Sequence, residues 1–182
     1  MKNTIKLLLL ICIANVSYCQ TIKQLEEKNG FKDFHLGDSL PKYKGRLFYE
    51  GKHQEYGVSS YSFIGEDNIF EIKLDKILLL FDRDERLVFM ILTANYPNSD
   101  KEYLTKAKAD IQTILSKCNV LFGNPTGTVR DQDEGYFGSS WTGKDIFMQA
   151  YIDYQDIGAE GSSINITIGL TSHFMNTLKK GF

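Results

Sequence analysis

Ile164, Ile166, Ile168 and Leu170 alternate with Asn165, Thr167, Gly169 and Thr171. A period of two places one set of side chains in a core and the other toward water, which is the pattern of a half-buried strand. Such a strand needs hydrogen-bonding neighbours and a second layer over its apolar face. The rest of the chain supplies candidates for both. Phe70, Ile72 and Leu74 alternate with Glu71, Lys73 and Asp75, and Arg46 to Glu50, Tyr56 to Phe63, Gly135 to Trp141 and Asp145 to Asp153 also read as strands. Ile77 to Phe81 and most of Leu87 to Leu92 are apolar on both sides, as expected at the centre of a sheet with a helix on one face and loops or a second layer on the other. Asp82-Arg83-Asp84-Glu85 and Thr142-Gly143-Lys144 supply polar turns between neighbouring strands.

Between the two strand groups the period changes. Leu104, Ala107, Ile111, Ile114, Cys118 and Leu121 recur at helical spacing. Ser99-Asp100-Lys101-Glu102 has the form of a capping box, and Gly123 with Pro125 supplies a stop. The spacing predicts a helix over about residues 100–121 lying across the sheet. A short helix is expected over 21–29, with Ile22 and Leu25 on one face and Asn29-Gly30 ending it. Phe34 and Leu36 suggest a short strand ending at Gly37, after which Asp38 and Ser39 can cap one or two helical turns carrying Leu40 and Pro41. A short helix is also expected in the tail over 172–178. Strands joined by short turns, with one long helix between two groups of them, define an α+β class: an antiparallel sheet of about six to eight strands.

The first residues have a different character. Lys2 and Lys6 precede the apolar run Leu7 to Ala14, and Ser17 and Cys19 are the small residues before Gln20. This is the order of a secretory signal peptide, and the run is shorter than the ~20 apolar residues a membrane-spanning helix needs. Cleavage before Gln20 and lipidation of Cys19 are the two alternatives, the first giving a periplasmic or secreted protein and the second an outer-membrane lipid anchor. Residues 20–182 then form a single domain of ordinary size. The intact chain of 182 residues carries a formal charge of −2, and loss of the leader removes two lysines and no acid. A mildly acidic chain with no basic stripe does not suit nucleic acid.

Cys12 and Cys19 lie in the leader, leaving Cys118 without a disulfide partner. It sits on the apolar stripe of the long helix and reads as a small buried hydrophobe. No Gly-x-Ser-x-Gly motif occurs, and His35, His53 and His173 are far apart in sequence. No catalytic residue, metal site or cofactor is therefore assigned. Two acidic clusters, Asp82-Asp84-Glu85 and Asp131-Asp133-Glu134, lack the glycine and distal glutamate of a calcium loop and read as solvated turns. The segment 43–63 is rich in rings: Tyr43, Phe48, Tyr49, Tyr56, Tyr61 and Phe63. Tyrosine joins a flat apolar body to a polar tip, so exposed tyrosines suit sugars and protein partners. Tyr43, Tyr49, Tyr56 and Tyr61, together with Trp141 beside the Gly143 turn, are the candidate ligand-binding residues. Cross-strand packing of the same rings is the competing reading.

Gly30-Phe31-Lys32-Asp33-Phe34-His35-Leu36-Gly37-Asp38-Ser39-Leu40 resembles the opening of small exported proteins of Gram-negative bacteria. Leu121-Phe122-Gly123-Asn124-Pro125-Thr126 resembles the helix-ending Gly-x-Pro of the same group, followed by strands bearing a tryptophan. The layout is similar to that of the small outer-membrane assembly lipoproteins and of the β-lactamase-inhibitor-like fold, although Pro41 and Gly45 interrupt the helix those families place after the glycine. The resemblance implies a binding role and an envelope location. The function expected is an exported, non-enzymatic binding or interaction domain for a protein or glycan. A small secreted hydrolase with an acidic site assembled in the fold, or an inhibitor-like or envelope-assembly module, are the alternatives. N-terminal sequencing of the exported protein should find Gln20 first. A lipid on Cys19 would place the protein on a membrane surface, and an intact Met1 on a cytoplasmic protein would contradict both forms of export.

Overall fold

The computed structural model describes residues 23–54, 56–97, 102–131, 135–153 and 161–173. The leader, Ser99, Asp133 and Glu134, and most of the C-terminal tail lie outside them. The chain begins with α1 (Lys23–Lys28), the two-residue strands β1 (Gly30–Phe31) and β2 (Phe34–His35), and a 3-10 turn (Leu40–Tyr43). Strands β3 (Leu47–His53), β4 (Val58–Phe63), β5 (Asp67–Ile69), β6 (Ile72–Leu74), β7 (Lys76–Phe81) and β8 (Leu87–Pro97) follow. Helix α2 (Tyr103–Phe122) leads to β9 (Gly127–Asp131), β10 (Tyr136–Thr142), β11 (Ile146–Asp153) and β12 (Gly161–Leu170). The fold is α+β, as the periodicities predict.

Eight strands form one antiparallel sheet in the order β3-β4-β7-β8-β12-β11-β10-β9. The doubly apolar β7 and β8 lie in its interior, and β8 pairs with β12, the cleanest alternating strand. Register makes the alternation collective. Leu79, Met90, Ile168, Met148 and Trp141 form one row across five strands, and Ile77, Leu92, Ile166 and Ala150 form the next. All nine are buried. A slip of one residue in any strand would turn its apolar set outward, so this face fixes the pairing.

Helix α2 lies on β8, β12, β11 and β10. It buries Ala107, Ile111, Ile114, Leu115, Cys118 and Phe122, while Leu104 and Leu121 are half-buried. The stripe is thus wider than predicted and shifted toward Leu115 and Phe122, as a helix on a broad sheet requires. Trp141 locks the end of this helix: its indole Nε1 donates to the Gly123 carbonyl at 2.9 Å. Glu26 of α1 plays the same part at the β10–β11 turn, where its Oε1 accepts the amides of Lys144 and Asp145. A Cβ on Gly143 would come within 2.5 Å of that carboxylate oxygen, so a larger residue there would have to displace the Glu26 side chain.

Four local expectations are corrected. Glu102 rather than Ser99 occupies the helix N-cap position, because the helix starts at Tyr103. Phe34 belongs to the β1–β2 hairpin rather than to a single strand reaching Gly37. Phe70 and Glu71 form the two-residue turn of the β5–β6 hairpin, with φ of 49° and 73°, rather than the start of a strand. That twist is the one a tight hairpin favours, although the residues are not the usual Asn-Gly. Residues 127–131 pair with β10 as an edge strand, so Asp131, expected in a solvated turn, ends a strand instead; Val129 alone is apolar there and leaves no periodic signal.

The opposite face of the sheet carries the other alternate set. Phe89 and Phe147 meet there with ring centroids 5.9 Å apart, above Gly169, where a Cβ would come within 2.3 Å of the Phe89 ring. His173 stands edge-on to Phe89.

Burial of α2 should dominate stability. Ile111→Ala or Ile114→Ala should cost about 2–5 kcal/mol in chemical denaturation. An unchanged midpoint and slope would mean that this face is not the core.

Candidate functional site

The first half of the buried face is closed by the N-terminal segment. Backbone bonds fix its path: Gly37 N–H donates to Leu87 O at 2.8 Å, Leu87 N–H to Asp38 O at 2.9 Å and Leu40 N–H to Glu85 O at 2.9 Å. Ser39 bridges Arg86. The 3-10 turn is thereby held against the β7–β8 turn, close to β4.

A side-chain hub fixes it further. Tyr43 is 1% exposed, and its hydroxyl donates to Asp38 Oδ2 at 2.5 Å. The same oxygen accepts Lys42 Nζ at 2.8 Å and the His35 amide at 3.1 Å. Burial alone would raise the Asp38 carboxyl, but the bonds from Lys42, Tyr43 and His35 outweigh it and hold the group below the ordinary carboxylate range. Tyr43 is pushed far above the usual phenol range, first by burial and then by the Asp38 acceptor. The expected cap by Ser39 is absent; Asp38 anchors the turn through Tyr43 instead.

Rings run outward from this hub. Phe34 contacts Tyr43 and Phe63 at centroid distances of 5.4 and 5.2 Å. Tyr43 meets Phe81 at 6.2 Å, Phe81 meets Tyr61 at 5.5 Å, and Tyr61 meets Tyr49 at 5.2 Å, all three edge-to-face. The Arg46 guanidinium covers Phe34 and Phe63. The series begins in the core and ends at Tyr49, which is 52% exposed.

A cleft of about 390 Å³ opens beside the outer rings. The 3-10 turn and its exit supply Leu40, Pro41, Tyr43, Lys44 and Gly45 as one wall; Leu47 of β3 and Tyr61 of β4 form the other, and Glu85 closes an end. Its volume lies within the range of small-ligand sites. The lining is apolar with one cation and one anion. Burial, then the neighbouring Tyr49 and Glu85, raise the Tyr61 phenol, so it is a neutral hydrogen-bonding group at physiological pH.

The five sequence-predicted site residues therefore separate. Tyr49 and Tyr61 are brought together edge-to-face, and of the two Tyr61 lines the cleft. Tyr43 supplies its buried wall and structural anchor rather than an exposed ring. Tyr56 is 39% exposed in the β3–β4 turn, away from the lining. Trp141 is 0% exposed and belongs to the core beneath α2. Leu40, Pro41, Leu47 and Glu85 were not foreseen as site residues. Their convergence depends on the pairing of residues 37–40 with 85–87, which no local pattern reveals.

The other candidate chemistry is dispersed. Asp82 Oδ1 accepts the Asp84 and Arg86 amides at 2.9 Å each, so this acid shapes its own turn. The Asp131 side chain, Asp133 and Glu134 lie outside the described residues. Among the described residues, no group of three or more His, Cys, Asp or Glu side chains could hold a metal ion. His53 Nε2 is 3.1 Å from Ser60 Oγ, but Ser60 is buried and bonded to the Gly51 carbonyl. Cys118 is buried and its thiol is pushed up to about 12 by that burial, with Lys28 opposing weakly. Comparison with protein families, curated proteins and solved structures finds no match to this chain.

Proposed function

We propose that this is an exported, non-enzymatic binding domain whose ligand surface is the aromatic cleft between the 3-10 turn and the β3–β4 edge. The observation that carries this reading is the half-exposed Tyr49 packed edge-to-face on Tyr61, which lines a 390 Å³ apolar cleft. A solvent-exposed ring at the end of a packed aromatic series is already oriented. Capturing a flat or apolar group there orders few additional side chains, which favours affinity. Lys44 and Glu85 give the cleft a polar rim of both signs.

Export is supported by the order of residues 1–19 and by the resemblance to small exported proteins of Gram-negative bacteria. Among the described residues no helix is long and apolar enough to cross a membrane.

The reading is tested by amide chemical-shift mapping against panels of short peptides and soluble oligosaccharides. Shifts should cluster at Leu40, Leu47, Tyr49 and Tyr61. Tyr49→Ala should weaken capture about tenfold or more while lowering stability by about 1 kcal/mol or less, because the ring is half exposed. Shifts confined to another surface, or unchanged capture by Tyr49→Ala, would contradict it.

A further inference from the structure

We infer that the partner of this cleft is an extended acidic peptide segment, which adds to β3 as a ninth strand and places one apolar side chain in the cleft. This rests on the proposed binding role and specifies the partner.

The argument starts at the edge of the sheet. β3 is a terminal strand, and no described strand pairs with its outer side. The Ile64 amide donates to the Arg46 carbonyl at 2.8 Å. Antiparallel bonding alternates along a strand, so from that bond the N–H and C=O groups of Leu47 and Tyr49 point away from β4. Leu47 pairs with Phe63 and Tyr49 with Tyr61, which puts their side chains on the cleft side of the sheet. Of these two residues whose backbone groups point outward, Leu47 lines the cleft and Tyr49 packs on Tyr61, which lines it.

Residues directly opposite in neighbouring strands direct their side chains to the same face. A residue pairing with Leu47 or Tyr49 then directs its own side chain to the cleft face of the sheet, beside Leu47. Backbone pairing and apolar burial fall at one position, which is the combination used in peptide recognition by strand addition.

Charge selects the sequence around that position. Lys42, Arg46 and Glu50 already face Asp38, Asp33 and Lys76. Lys44 and Lys52, just before and within β3, enter no ion pair among the described residues. Both are exposed. Acidic residues flanking the apolar one would complement them. The same charges oppose a second copy of this chain on the edge. Antiparallel self-pairing centred on Tyr49 would set Lys52 opposite Arg46, and like charges directly opposite destabilise a ladder. The β3 bulge at Glu50 further limits self-pairing, since it breaks the regular register on both copies.

The test uses the full exported chain and short capped peptides that alternate acidic and β-branched residues around a central Phe or Leu. Each peptide is paired with an analogue N-methylated at alternate amides, which keeps the side chains and removes the donors. Strand addition predicts slowed amide exchange at Leu47 and Tyr49 and roughly tenfold or greater loss of affinity on N-methylation. Replacing the acids by lysines should also weaken binding. Cleft shifts at Leu40 and Tyr61 that survive N-methylation would overturn strand addition while leaving the binding cleft standing. Failure of every acidic peptide to bind, or protection of the β3 amides through dimerisation without peptide, would overturn the inference.

Discussion

An eight-stranded sheet spans about 34 Å between its outer strands, and one of its faces must be kept dry. The chain supplies one long helix for that task. α2 has 20 residues, about 30 Å of helix, and it covers β8, β12, β11 and β10. The β7–β4–β3 side needs another cover. The N-terminal segment provides it, and its hold depends on the Tyr43–Asp38 bond set within the Phe34, Phe63 and Phe81 cluster. This division of labour explains both the closed core and the opening. The short segment reaches Tyr61 but leaves Tyr49 half exposed, and the cleft lies where the cover ends.

The chemistry of the hub suits an anchor. A buried phenol needs a partner, and an acid beside it must be compensated. Asp38 meets both needs by accepting from Tyr43, Lys42 and the His35 amide, each from the same short segment. The cleft inherits rigidity from this arrangement, since Tyr43 forms one of its walls. At the other end of the sheet Trp141 has a comparable anchoring role, joining β10 to the last turn of α2. Both residues combine a large apolar body with a polar tip that is satisfied inside the fold.

Much of the architecture was legible in the sequence because burial on one face imposes a period. The alternation at 164–170 and the stripe from Ala107 to Cys118 each correspond to an observed face. The segment 127–131 was not legible, because an edge strand with Val129 as its sole apolar residue has almost nothing to bury. The β5–β6 turn was hidden because Phe70 and Glu71 adopt left-handed conformations that their residue types do not announce. The aromatic density of 43–63 pointed to the strands beside the cleft, yet it could not separate Tyr43 from Tyr49. Exposure of these rings depends on where residues 37–40 pair, some forty-five positions away in the chain. The cleft is a consequence of that long-range pairing, and so its other lining residues carried no local signal.

The central claim is that the Tyr43–Asp38 contact secures the cover over this half of the sheet. A double-mutant cycle with Tyr43→Phe and Asp38→Asn, read by chemical denaturation, tests it most directly. The account predicts that the two changes together cost less than the sum of their separate effects, with a coupling of about 1 kcal/mol or more. Additive costs would show that the pair does not act as a unit and would contradict the account.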